Sequence, residues 1–291
     1  MNREEMKRLI LAAVSERLGS GYHGTLQTVF KTNLKLDGLS IFQDGSSIAP
    51  TIYLEPFYQK LENGISIDDV AEMILKIYLG ARDHSWQFDI MSITDFDCIR
   101  DRLYVALINR HSNTELLRDV PHRLFLDDFA IVVRCLIEAG DDGNSDFLVH
   151  DSYLKAWDMD RETLLSHAIK NTRKLFGVKL QNMDDVVKAL IPCAETGTIR
   201  VPMWILSNCP HIFGASAVLF RDVLEDFSEK YGSFYAIFSS IHEVLLVPVS
   251  ADINIDTLTK MNREINVTDV SEEEVLGTRA YLYNKGKGFV L

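Results

Sequence analysis

The residues of this chain whose types and spacing could do chemistry together fall in one short polar break, Ser239-Ser240-Ile241-His242-Glu243. Two apolar runs, 234–238 and 244–249, flank it. The break supplies two hydroxyls, an imidazole and a carboxylate. An imidazole oriented by a carboxylate is the core of general acid–base and hydrolytic chemistry. Glu243 and Asp151 are the carboxylates that could orient His242, and Asn208, from a second turn, is a further polar group that could face a ligand with them. The structural alternative is that Ser240 and His242 satisfy backbone groups that a tight corner leaves without ladder partners, fixing the register of a hairpin.

Fuller catalytic and binding motifs stop short. His242-Glu243 begins the zinc-protease pattern H-E-x-x-H, but Leu246 stands where the second histidine should be. Gly214-Ala215-Ser216-Ala217-Val218 follows a nucleophile elbow until its last residue, which should be glycine. Asp252-Ile253-Asn254-Ile255-Asp256 has the first EF-hand ligand positions, but Thr257 replaces the turn glycine and Arg263 the closing glutamate, so Asp256 reads as a helix cap. The acids at the turn 141–145 are expected to face water rather than hold Ca²⁺. No P-loop and no G-x-G-x-x-G is present, so no cofactor is expected. Asn266-Val267-Thr268 matches a glycosylation acceptor, without meaning in a cytosolic protein. His111, His122, His150, His211 and His242 are scattered, with no quartet at zinc spacing among them and the cysteines, so no metal is expected either.

Composition narrows the class. The chain has 291 residues, 47% hydrophobic and 25% charged, enough for one large domain or two modest ones with a sizeable core. A net charge of −12 argues against non-specific binding to nucleic acid or to an anionic membrane surface. Cys98, Cys135, Cys193 and Cys209 form no C-x-x-C pair and read as reduced thiols, which points to the cytoplasm. The N-terminal stretch is too charged for a signal peptide, and no apolar run reaches 18 residues.

The elements that must position the corner follow from periodicity. Residues 3–18 read as an amphipathic helix, and 25–31 with 34–42 as a hairpin around Thr32-Asn33. Residues 66–79 form the clearest helix, capped by Ser66 with Asp69 three residues on, and stopped at Gly80. Thr94-Asp95 starts a helix carrying Phe96, Ile99, Leu103 and Leu107. The run 124–137 is β-rich, interrupted by Asp127-Asp128, and makes a hairpin with 146–150. Asp160 caps a helix that ends at Gly177, a short extended piece 178–180 follows, and Asn182 caps another helix. The last third reads as strand pairs followed by helices: strands 201–206 and 213–219, helix 222–230, the organising hairpin, helix 256–265 and strand 278–283.

That order gives an α+β fold with antiparallel sheets and helices packed on one face. It divides into a helix-rich lobe with a β-hairpin, 1–120, and an α+β lobe, 121–291, or forms a single domain. Val70, Ile74, Ile77, Leu164, Leu165, Leu245 and Val247 are expected in the core.

Several stretches carry a family resemblance: SIAPTIYLEPFYQKLENG, DVPHRLFLDDFAIVVRCLI, FLVHDSYLKAWDMDRETLLSHAIKNT, and GASAVLF with FYAIFSSIHEVLLVP. Over nearly the whole chain they resemble an uncharacterised family of anaerobic Gram-positive gut bacteria and their mobile elements. The second half, through Asp151–Trp157 and Asn171-Thr172, is also similar to the YtpQ-like uncharacterised family. The resemblance implies a bacterial cytosolic protein and brings no activity, cofactor or site residues. With the failed motifs, the expectation is a non-catalytic protein that binds a protein partner or small ligand, in one version an inhibitor or regulator carried by a mobile element. The alternative is a hydrolase using His242 with a nearby carboxylate.

Overall fold

A computed structural model describes residues 1–46, 49–82, 93–140, 143–190, 201–250 and 253–290. The chain forms two compact units, Met1–Gln87 and Phe88–Leu291. The division falls here rather than near residue 120 because residues 103–109 pair within a sheet of the second unit.

The smaller unit opens with α1 (Arg3–Arg17), then the hairpin of β1 (Tyr22–Lys31) and β2 (Leu34–Gln43), edged by β3 (Thr51–Tyr53). Asn33 takes φ 61° at the turn, a conformation that asparagine tolerates. Two helices follow, α2 (Glu55–Glu62) and α3 (Ile67–Arg82). The Ser66 hydroxyl accepts from the Asp69 N–H at 3.1 Å, so the expected cap is present. Gly80 does not stop the helix, which runs on to Arg82. Val70, Ala71, Ile74 and Tyr78 form its buried stripe; Ile77 lies on the edge of that stripe and is 50% exposed, not core.

The larger unit begins with a short α4 (Phe96–Ile99) and β4 (Leu103–Asn109). The helical spacing of Phe96, Ile99, Leu103 and Leu107 misleads here. Residues 103–108 are buried on both faces, and a doubly covered strand is continuously apolar rather than alternating. β4 pairs with the long β6 (Phe129–Gly140), whose other edge carries β5 (His122–Phe125) and β7 (Gly143–Leu148). The helices α5 (Asp151–Ala156) and α6 (Arg161–Phe176) follow, and Asp160 caps α6 as expected.

A six-stranded antiparallel sheet completes the unit, in the order β13-β12-β10-β11-β9-β8. Its strands are β8 (Lys179–Asn182), β9 (Trp204–Ser207), β10 (Phe234–Ile237), β11 (Val244–Pro248), β12 (Ala280–Asn284) and β13 (Gly288–Phe289). The helices α7 (Met183–Leu190), α8 (Arg221–Tyr231) and α9 (Ile255–Thr268) punctuate them. The two central strands are those of the organising hairpin, with Ile237 opposite Leu245. Alternation along them serves two cores. Phe234, Ala236, Val244 and Leu246 face the main core with Leu224 and Phe227 of α8. Ile237 and Val247 face Leu258 of α9. Helices therefore cover both faces of this sheet rather than one. Leu164, Leu165 and Val247 are fully buried, while Leu245 is half-buried against the α9 layer.

Residues 214–219, expected as a strand, form a 3-10 helix. The small residues Gly214, Ala215, Ser216 and Ala217 have little to gain from a pleated surface, and the Ala215 N–H donates to the Ile241 carbonyl of the corner at 3.2 Å. Asn254, not Asp256, caps α9, accepting from the Thr257 N–H at 2.8 Å. The expectations for Asp252, Cys193 and the acids Asp141 and Asp142 fall outside the described residues.

Candidate functional site

The corner between β10 and β11 is held from beneath by the segment that follows β9. Asn208 folds this segment over itself: its Nδ2 donates to the Ile212 carbonyl at 2.7 Å, and its Oδ1 accepts from the Ile212 N–H at 3.1 Å. The turn so closed carries two non-glycine residues with left-handed backbone, His211 (φ 56°) and Phe213 (φ 51°). Such conformations persist only where the surroundings impose them. At Phe213 those surroundings are visible. Its N–H donates to His242 Nδ1 at 3.3 Å, its carbonyl accepts from the Ser216 hydroxyl at 2.9 Å, and its ring lies under the Arg134 guanidinium at 4.6 Å.

Arg134 belongs to a second polar knot. It forms a salt bridge with Asp146, whose other oxygen accepts from the Tyr104 hydroxyl at 2.6 Å. The Arg134 and Asp146 side chains are 15% and 7% exposed, so the pair is nearly dry. Burial, reinforced by the negative charge of Asp146, raises the Tyr104 pKa far above its ordinary value and keeps the phenol a donor.

His242 is engaged at both nitrogens. Nδ1 accepts from Phe213, which places the proton on Nε2, where it points at Glu274 Oε1, 3.3 Å away. Glu274 thus stands where sequence reasoning set Glu243 or Asp151; Asp151 pairs with Arg161 instead. The Ser207 hydroxyl donates to the His242 carbonyl at 2.7 Å, and the Ser240 hydroxyl accepts from the His242 N–H at 3.1 Å. Ser239 and Ile241 extend the corner by backbone bonds, Leu276 N–H to the Ser239 carbonyl at 3.0 Å and Ile241 N–H to the Glu274 carbonyl at 2.9 Å. A Cβ on Gly214 would sit 2.4 Å from the His242 carbonyl and 2.1 Å from the Ser207 hydroxyl, so only glycine fits beneath this turn.

The five candidate residues therefore separate. Asn208, Ser240 and His242 hold the backbone of the two turns. Ser239 and Glu243 open onto a cleft of about 590 Å³, together with Lys179, Gln181 and His211. Lys179 Nζ lies 3.1 Å from His211 Nε2. Val186, Leu245 and Ile265 give the cleft an apolar wall from α7, β11 and α9. Lys179 and Glu274 carried no signal in the sequence, because each reaches the site from another element.

His111, His122 and His150 do not converge on the corner. His111 pairs with Asp128, His150 with Asp119, and His122 with the Val120 carbonyl. Among the described residues no group of three or more His, Cys, Asp or Glu could hold a metal ion. A further cluster joins Asp128 to Arg279 and Tyr281. Cys98 is exposed, with its thiol donating to Asp95 Oδ2 at 3.5 Å, and Cys209 is an exposed free thiol; Cys135 is buried, which pushes its thiol up to about 12. No described helix is long and apolar enough to cross a membrane.

Residues 3–285 match the family of unknown function DUF5688, and the chain belongs to that family. No curated protein matches the chain, and no solved structure does.

Proposed function

For this member of the DUF5688 family, we propose a non-catalytic, cytosolic bacterial protein that binds a small ligand in the cleft beside the β10–β11 corner. One observation carries this reading: Asn208, Ser240 and His242 bond the main chain of the two turns, whereas Ser239 and Glu243 line a cleft. The cleft's volume lies within the range of about 300–1,000 Å³ usual for small-molecule sites, and it combines a polar end with an apolar wall. The free thiols of Cys135 and Cys209 suit a reducing compartment. A role as an inhibitor or regulator would follow from the same cleft, with the ligand as its signal.

The hydrolase alternative has less support. An imidazole whose two nitrogens are held by a backbone N–H and a carboxylate has none left for a hydroxyl nucleophile, and His242 lines neither described cleft.

Native mass spectrometry and melting curves of the protein incubated with the small-molecule fraction of a host extract test the proposal. The wild type is expected to gain a discrete adduct and a higher melting temperature. Glu243→Lys, at a half-buried position on the cleft, should lose both while melting normally alone. An absent adduct, or one indifferent to Glu243→Lys, overturns the reading. Ester hydrolysis abolished by His242→Ala without loss of stability would install the alternative.

A further inference from the structure

A second cleft, of about 490 Å³, lies in the larger unit beside the first turn of α8 and the β12–β13 turn. Its apolar part is aromatic. The Phe289 ring stands edge-to-face to Phe125, with centroids 5.9 Å apart, and to Tyr283, 5.2 Å apart. Ile131, Ile169, Val218 and Leu224 supply further hydrocarbon.

The charge of its lining is opposite to that of the chain. The protein carries 42 acidic against 30 basic residues, yet this cleft is lined by Arg123, Arg221 and Lys287 against one acid, Glu225. Arg221 occupies the first position of α8, where the helix dipole disfavours a cation. Glu225, one turn on, accepts from Arg221 Nε at 2.6 Å, and the acid of the first turn, Asp222, pairs with Arg173 at 2.7 Å. Arg123 is held only at 3.5 Å by a largely exposed Glu162. Lys287 has no ion pair among the described residues; it is displayed on a turn shaped by Gly286 (φ 75°) and Gly288 (φ 87°), where a side chain would be strained. A cation set against a helix dipole, in an acidic protein, is a local cost that a bound anion would offset.

We propose that this cleft binds a small amphiphilic anion, with a flat aromatic body against Phe125, Tyr283 and Phe289 and one anionic group among Arg123, Arg221 and Lys287. The rings recognise the body by edge and face contacts, and the three cations fix the orientation of the head. The site is separate from the cleft at Glu243 and does not depend on it.

Two matched probes test it, 8-anilinonaphthalene-1-sulfonate and its neutral counterpart N-phenyl-1-naphthylamine, titrated by fluorescence into the intact protein. The sulfonate is expected to saturate one site and to bind about tenfold more tightly than the neutral probe, a factor of about two for each partly exposed charge. Neutralising the rim with Arg123→Gln, Arg221→Gln and Lys287→Gln together should remove that difference and leave the neutral probe unchanged. Ile169→Trp, which fills the cleft, should abolish both. Equal binding of the two probes to the wild type overturns the proposal, as does sulfonate binding that survives either the triple variant or Ile169→Trp. If the triple variant does not fold, Lys287→Glu on its exposed turn decides alone: weaker sulfonate binding with unchanged neutral binding sustains the site, and no change overturns it.

Discussion

Two hairpin corners of the larger unit are rich in polar side chains, and they spend them differently. At the β10–β11 corner most bonds are made to backbone: Ser207, Ser240 and Asn208 each serve main-chain groups, and His242 receives the Phe213 N–H. At the β5–β6 corner, Asp128 bonds side chains from far along the chain. Its Oδ2 accepts from Arg279 Nε at 2.7 Å and from the Tyr281 hydroxyl, and its Oδ1 faces His111 at 3.3 Å. The first corner determines the conformation of two turns. The second ties the four-stranded sheet to β12 of the six-stranded one. A substitution at the first should therefore deform a loop, whereas one at the second should loosen a sheet-to-sheet fastening without disturbing the turn itself.

The sharpest break is expected from Gly214→Ala. The added carbon would meet the His242 carbonyl at 2.4 Å and the Asn208 N–H nitrogen at 2.8 Å, and backbone atoms cannot rotate away. A loss of about 3 kcal/mol is expected, the upper part of the overpacking range. Denaturant titration showing less than about 0.5 kcal/mol, an ordinary surface effect, would mean that the two turns are not locked together.

His242→Ala comes next. It leaves the half-buried Phe213 N–H and the Glu274 carboxylate without their partner, an expected loss of about 1–3 kcal/mol. Glu274→Gln should cost less than His242→Ala, since an amide oxygen still accepts from Nε2. Equal losses would show that the charge of Glu274, rather than the Phe213 contact, is what matters at this corner.

The two corners were unequally legible in the sequence. The first stood out because its polar residues are contiguous and interrupt strongly apolar strands, and the pairing of residues 234–238 with 244–249 follows from the pattern alone. Its partners did not stand out: Glu274 lies on an acidic 3-10 turn that looks like solvated surface, and Arg134 with Asp146 is hidden inside strands. Asp128 read as a simple interruption of a β-rich run, since its value depends on Arg279, 151 residues away. The same blindness to distant neighbours explains β4. Its helical spacing is an accident of Leu103 and Leu107, and only the sheet that covers both faces determines the outcome. The 3-10 helix 214–219 was missed because its glycine and alanines are chosen for close approach to the corner, a constraint that periodicity does not register.

The smallest expected effect sharpens the contrast by its pH dependence. Burial alone would raise the Asp128 carboxyl, but hydrogen bonds from Tyr281 and Arg279, with the charge of Arg279, outweigh it and hold the pKa below the ordinary value. A depressed carboxylate contributes stability above its unfolded pKa of about 3.9 and loses it as pH falls through the folded value. Asp128→Asn is therefore expected to cost about 1 kcal/mol near neutrality, discounted because Arg279 is half exposed. That difference from wild type should shrink below about pH 4. Tyr281 gives the opposite limb. Burial, then its bond to Asp128, raises its pKa, so its contribution is complete below about pH 10 and is lost as pH rises further. In Asp128→Asn the carboxylate's part of that alkaline loss should disappear while the part due to burial remains. Parallel pH–stability profiles for wild type and Asp128→Asn down to pH 3 would show that Asp128 acts by shape alone, and the distinction between the two corners would then be one of position rather than of physics.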